Sequence, residues 1–276
     1  MTGSLSFDII PEISLLVARE KYPELQFEHY LARLDEFASR AELHVKNVQG
    51  GRQIVEALNN YLFADEGFRG NTSDYYNPSN SFFNDVLDRR TGIPLTLSIL
   101  YAEIGRRLGL PLAVVGFPGH ALVRYRDRHE TLFIDPFYSG KILAEEDCKL
   151  LLSEMYGGQL LFRPEYLNPA TKREVLIRML SNLKIIYMSK KEFEMALNIL
   201  NKMLLFDPLA ADSIKERGMV HYQLECYSSA LRDFETYLMK EPTAADRSFI
   251  EECIAELRPK VDQMRGPKSR QPREGE

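Results

Sequence analysis

Apolar positions recur at helical spacing along the first quarter of the chain. Ile10, Ile13, Leu16 and Val17 form one set. Phe27, Tyr30, Leu31, Leu34 and Phe37 form a second, and Ile54, Val55, Leu58, Tyr61 and Leu62 a third. Helices over residues 8–64 follow, because apolar residues three and four apart share one face of an α-helix. Pro11 and Pro23 suit first-turn positions, where a missing N–H costs nothing. Gly50-Gly51 separates the second helix from the third. Over residues 65–82 the periodicity is lost. Gly, Asn, Asp, Ser and Pro are dense there, which predicts a surface loop longer than most connections.

Thr91-Gly92 breaks the next short helical stretch, and Pro94 opens a helix predicted to run to about Leu108. Leu97, Leu100, Tyr101, Ile104 and Leu108 fall on one buried face. Arg106 and Arg107 suit the negative end of the helix dipole, and Gly109 is a fitting C-cap. Beyond Pro111 the pattern changes: a short apolar run is followed by a stretch that alternates apolar with polar and then by a third run. The runs LAVVGF, HALVRYR and TLFIDPF predict an antiparallel sheet of at least three strands, the last two joined by the hairpin connector DRHE. His120 is expected on the second of these strands and Asp135 at the end of the third. Gly119 allows close approach to the His120 ring. Glu145, Glu146 and Asp147 then begin an amphipathic helix closed by Gly157-Gly158.

From residue 171 the strand signals stop and an internal repeat begins. Tyr187 and His221, Ala196 and Ala230, Leu200 and Phe234, and Pro208 and Pro242 are each 34 positions apart. A 34-residue period with a small residue inside the second helix and a closing Pro is the tetratricopeptide signature. The Ala admits the close crossing of the two helices of a repeat, and the Pro stops the second. Two repeats fit, about 177–210 and 211–244. Phe249, Cys253, Ile254, Leu257 and Val261 then mark a capping helix.

Composition narrows the class. The chain has 276 residues, 45% hydrophobic and 27% charged, ordinary for a soluble globular protein of one large or two ordinary domains. Net charge is −5 and pI about 5.7, so no basic field favours nucleic acid or anionic lipid. No secretory pattern opens the chain, and no run of about 18 apolar residues predicts a membrane span. A cytoplasmic setting is expected. Cys148, Cys226 and Cys253 are too few and too scattered for a disulfide framework or a thiolate zinc site. His44 beside Glu42 reads as a solvated helix face rather than a metal pair. No G-x-x-x-x-G-K-[ST], G-x-G-x-x-G or H-E-x-x-H motif occurs, so no metal or cofactor is expected. The mixed-charge tail over 266–276 is expected to be disordered.

Three blocks are specific when they occur together in this order: RRTGIPLTLSILYAEIGRRLGLPL, then FPGHALVR, then IDPFYSG. With the repeat behind them, the chain resembles the bacterial transglutaminase-like proteins that carry a tetratricopeptide C-terminus, a family labelled after an invasion-gene regulator. The resemblance spans about residues 30–245. It implies an α+β fold in which N-terminal helices and a papain-like core with a small antiparallel sheet are followed by an all-α repeat region. The expected domains are 1–165 and 166–265.

In the wider superfamily a nucleophilic Cys opens a central helix, a His on a following strand is the base, and an Asp on the next strand orients it. His120 and Asp135 match the last two positions. The Cys position falls at or beside Pro94, which has no nucleophile. Thr96 and Ser98 carry hydroxyls nearby, and Cys148 comes after Asp135, out of the superfamily's chain order. Arg89, Arg90, Pro94 and Thr96 are candidates to flank a cleft, although the arginines with Asp88 also read as a surface ion-pair cluster. Two functional readings stay open. One is a non-catalytic interaction or regulatory protein, with a protein or peptide partner, in which His120 and Asp135 are a structural or ligand-binding pair. The other is a hydrolase or acyltransferase that uses that pair with water or a hydroxyl.

Overall fold

The computed structural model describes residues 9–19 and 21–265. The tail expected over 266–276 lies outside the described residues. The chain forms two compact units that divide between Asn182 and Leu183.

In the first unit the N-terminal periodicity yields α1 (Ile9–Ala18), α2 (Phe27–Val45) and α3 (Gly51–Asn59), the last continuing as a π-helical turn over Asn60–Asp65. The buried side of α1 is rotated from the predicted one. Ser14, Leu15 and Ala18 are fully buried, whereas Leu16 is 52% exposed. Ser14 fits there because its hydroxyl reaches the Ile10 carbonyl at 2.6 Å and the Met179 sulfur at 3.3 Å. Pro23 stands in the turn before α2, not in a helix.

The loop expected over 65–82 is only partly irregular. It contributes β1 (Arg69–Gly70), which pairs in parallel with β2 (Thr91–Gly92), and a 3-10 turn at Pro78–Asn80. Between them lies the short α4 (Phe83–Arg89).

Helix α5 (Pro94–Arg107) is the centre of this unit. It packs against α1, α2 and α4 and also against the sheet. It is therefore enclosed on more than the one predicted face. Leu95 and Ile99 are as buried as Leu97, Leu100, Tyr101 and Ile104. Each such side chain contributes about 1.5–3 kcal/mol through burial.

The sheet has four antiparallel strands in the order β3 (Leu112–Val115), β4 (Leu122–Arg126), β5 (Thr131–Asp135) and β6 (Lys141–Leu143). The edge of β3 is covered by the segment around Pro169, whose neighbour Ala170 donates its N–H to Val114 at 2.8 Å. Helix α6 (Glu145–Tyr156) follows and buries Cys148 and Leu152 with Val115, Phe117, Leu122 and Phe133.

Helix α7 (Lys172–Ser189) leads into the second unit, which holds α8 (Phe193–Phe206), α9 (Ala211–Gln223), α10 (Tyr227–Lys240) and α11 (Arg247–Arg265). Helices α8 and α10 begin and end 34 residues apart. The turns between paired helices repeat as well. Lys191 and Glu225 both have left-handed backbone, at φ 58° and 57°. Each is followed by the same bond, Glu192 N–H to Tyr187 O and Cys226 N–H to His221 O, both 2.9 Å. Ala196 and Ala230 are fully buried, and Phe234 fills the core beside Ile250 and Leu257. In the terminal helix Ile254, Leu257 and Val261 face inward as expected, but Phe249 is 52% exposed.

Candidate functional site

Two connections meet at the start of α5. One is the β3–β4 loop, residues 116–121, which carries His120. The sequence predicts His120 on a strand, but it lies two residues before β4 begins. Gly119 turns the chain at φ +67°, and His120 N–H returns to the Phe117 carbonyl at 3.1 Å. A side chain at Gly119 would meet Met155 at 2.7 Å and the Tyr156 hydroxyl at 3.0 Å, so α6 closes over this turn. The other connection is the 3-10 turn Pro136–Tyr138, which Asp135 starts as the last residue of β5.

The His120 and Asp135 side chains are brought together. Nε2 of the imidazole and Oδ2 of the carboxylate are 2.8 Å apart, and both residues are buried. The second carboxylate oxygen caps the 3-10 turn, accepting from Phe137 N–H at 3.1 Å and more weakly from Tyr138 N–H at 3.4 Å. Asp135 thus fixes the imidazole and the local backbone together. The ring itself lies between the edge of Phe137 and the face of Tyr138, at centroid distances of 6.1 and 6.2 Å. Nδ1 has no hydrogen-bond partner among the described residues.

The other candidate residues fall into different surroundings. Pro94 is buried as the first residue of α5. Thr96 two residues on is occupied, accepting from Ile93 N–H at 3.1 Å and donating to the Asn80 carbonyl at 2.8 Å. It caps α5 and ties it to the preceding loop, where Asn80 in turn bonds Asn71 and the Asp74 carbonyl. Arg90, left-handed at φ 55°, pairs with Glu66 at 2.8 Å, and Arg40 pairs with the same carboxylate. Arg89 is exposed at the end of α4. Ser98 is fully buried and donates to the Ala121 carbonyl at 3.3 Å. Burial, reinforced by Asp147 and Glu145, pushes the Cys148 thiol up to about 12, so it stays protonated at neutral pH. His44 stands 3.7 Å from Asp65, and no metal-binding cluster occurs among the described residues.

Residues 28–181 match the transglutaminase-like superfamily. The chain belongs to that superfamily. Residues 183–255 match the tetratricopeptide repeat. Similar bacterial proteins match across most of their length. A UPF0162 protein of Xylella fastidiosa (strain Temecula1) is 32% identical over 247 residues, covering 88% of each chain. A UPF0162 protein of Vibrio cholerae is 27% identical over 217 residues, covering 78% of this chain and 80% of that one. Human F-box only protein 21 is 37% identical over 139 residues, which are 48% of this chain and 21% of that one.

In this transglutaminase-like core the sequence reading missed the groups around the His120 loop. Arg178 on α7 donates to the Phe117 carbonyl at 2.8 Å, and burial lowers its pKa. Tyr75, Tyr76, Tyr138 and Tyr156 are all partly exposed. Tyr75 touches Phe137 at a centroid distance of 6.1 Å. Arg178 carries no local signal, because a charged residue in a helical pattern reads as a solvated face. The tyrosines come from three separate segments that only the fold assembles.

Proposed function

We propose that this protein is a non-catalytic protein-interaction protein, built on a degenerate transglutaminase-like core and a tetratricopeptide region, with a protein or peptide partner. The observation that supports the reading most is the start of α5. Pro94 opens that helix at or beside the position where the resemblance puts the superfamily's thiol, and the nearby hydroxyls are spent on structural bonds, Thr96 on Asn80 and Ser98 on Ala121. The thiol of Cys148 belongs to the core under α6 and is kept protonated. His120 and Asp135 then act as a brace that joins β5, its 3-10 turn and the β3–β4 loop. Tetratricopeptide repeats supply a surface of the kind that binds extended or helical segments of other proteins.

A second reading, hydrolysis or acyl transfer through the His120–Asp135 pair with water or a hydroxyl, is favoured by one feature: Nδ1 of His120 has no hydrogen-bond partner among the described residues. The two are separated by treating the full chain with electrophilic acyl and fluorophosphonate probes, measuring its intact mass for a side-chain nucleophile and the release of hydrolysed acyl probe for a water nucleophile. No adduct on Thr96, Ser98 or Cys148, and no release above background, is expected. An adduct or a release that disappears in His120→Ala would contradict the non-catalytic reading.

A further inference from the structure

Arg178 is half-buried, and among the described residues it makes no ion pair. One N–H is spent on the Phe117 carbonyl, and the other guanidinium donors have no protein acceptor there. A guanidinium withdrawn from water without a counter-charge is costly. The groups that act on it electrostatically are the phenols of Tyr75 and Tyr156, not carboxylates.

Its surroundings have the form of a binding site. A cavity of about 360 Å³ is lined by Arg178, by Gly116 of the His120 loop and by Leu95 in the first turn of α5. Two carboxylates also reach this cavity. Glu174 is committed to the N–H and hydroxyl of Thr171, both at 2.7 Å, and Glu165 is exposed at the rim. Neither neutralises Arg178. Beside it runs a chain of contacting aromatics. Tyr76 meets Tyr75 at 5.3 Å, Tyr75 meets Phe137 at 6.1 Å, and Phe137 meets Tyr138 at 5.2 Å. Tyr75, Tyr76, Tyr138 and Tyr156 are 37–60% exposed, an unusual density of open tyrosines for one small area. Rigid amphipathic rings beside one half-buried cation are what peptide-recognition surfaces use as anchors.

We infer that the Arg178 cleft beside His120 binds a carboxylate of a protein segment, with that segment's neighbouring side chains lying on Tyr75, Tyr76, Tyr138 and Tyr156. A single guanidinium matches the single charge of a carboxylate, and its fork can meet both oxygens. A phosphate would ask for more donors than one arginine. The inference rests on the protein-binding reading above and names the chemistry of the partner. The carboxylate could be an acidic side chain or a chain end, and the probes distinguish the two.

Three synthetic peptides serve as probes against the full chain: an acetylated Ala-Phe-Glu-Phe-Ala amide, its Gln counterpart, and an acetylated Ala-Phe-Ala with a free C-terminal carboxylate. Binding is followed by calorimetry and by the protein's tyrosine emission, which no tryptophan obscures. At least one carboxylate peptide is expected to bind tenfold or more tightly than the Gln peptide. That preference should shrink as salt rises, disappear in Arg178→Met and persist in part in Arg178→Lys. Circular dichroism checks the fold of each variant, and the wild-type comparison decides alone if the Met variant does not fold. Equal affinities, no binding of any peptide, or a preference that survives Arg178→Met would overturn the inference. The two proposals fail differently. Cleavage of a bound carboxylate peptide would end the non-catalytic reading and leave this site standing, whereas absent binding without turnover would do the reverse.

Discussion

Replacing Asp135 by Ala tests whether the carboxylate is a structural brace. The substitution removes the acceptor of His120 Nε2 at 2.8 Å and of Phe137 N–H at 3.1 Å, both in a buried setting. The third contact, Tyr138 N–H at 3.4 Å, is too long to add much. Leaving a buried donor unpaired costs about 1–3 kcal/mol, so two good donors give about 4 kcal/mol in total. For a cooperative unit of this size each kcal/mol lowers Tm by roughly 2–4 °C, which predicts a fall of about 8–16 °C. Asp135→Asn keeps an oxygen for the 3-10 turn but puts an amide against His120, so about half that fall is expected. Scanning calorimetry, with near-ultraviolet circular dichroism to follow the tyrosines, reads the change. A Tm within about 2 °C of wild type for Asp135→Ala would refute the brace, since it would mean that the buried carboxylate carries little of the fold.

Three further outcomes follow from the same geometry. Gly119→Ala should destabilise the fold more than Gly109→Ala, because both have left-handed backbone but only the former presses a Cβ against Met155 and Tyr156. The shared backbone strain is about 1–2 kcal/mol, and urea unfolding of the two variants isolates the contact. Phe234→Ala, fully buried in the repeat core, should cost about 3–5 kcal/mol and broaden the transition of the second unit in hydrogen exchange. Cys148 keeps its proton in the folded chain up to about pH 12, whereas an unfolded thiol loses it near 8.5. The folded state therefore holds more protons between those values, and its contribution to stability is lost as pH rises through that window. Cys148→Ala should flatten the alkaline limb of the stability curve, and at pH 8 thiol reagents should label the exposed Cys226 in preference to Cys148.

Much of this architecture is legible in the sequence where one physical constraint repeats. The 34-residue offset is visible because each repeat must bury the same small Ala and close the same turn. Strand β4 alternates over Val123, Arg124, Tyr125 and Arg126, whereas β3 and β5 read as apolar runs because both faces of the sheet are covered, one by α5 and the other by α6. What the pattern hides is enclosure. Leu95 and Ile99 lie off the predicted stripe of α5, yet the helix is central and its other side is covered too. Strand β6, with three residues, is too short to show a period. His120 leaves its predicted strand because Gly119 spends two positions on a turn, which alternation alone does not reveal. His120 and Asp135 stand out because their chemistry is scarce in an apolar run. Arg178 does not, since its meaning lies in the missing counter-charge, a property of the fold rather than of the helix.

The most direct test of the central reading is turnover. The purified protein and His120→Ala, matched for fold, are assayed side by side on ester, amide and glutamine-donor peptides. If the core is non-catalytic, the two give the same rate, equal to the uncatalysed background. A wild-type rate above background that falls at least a hundredfold in His120→Ala would contradict the account, because it would place a working general base beside Pro94.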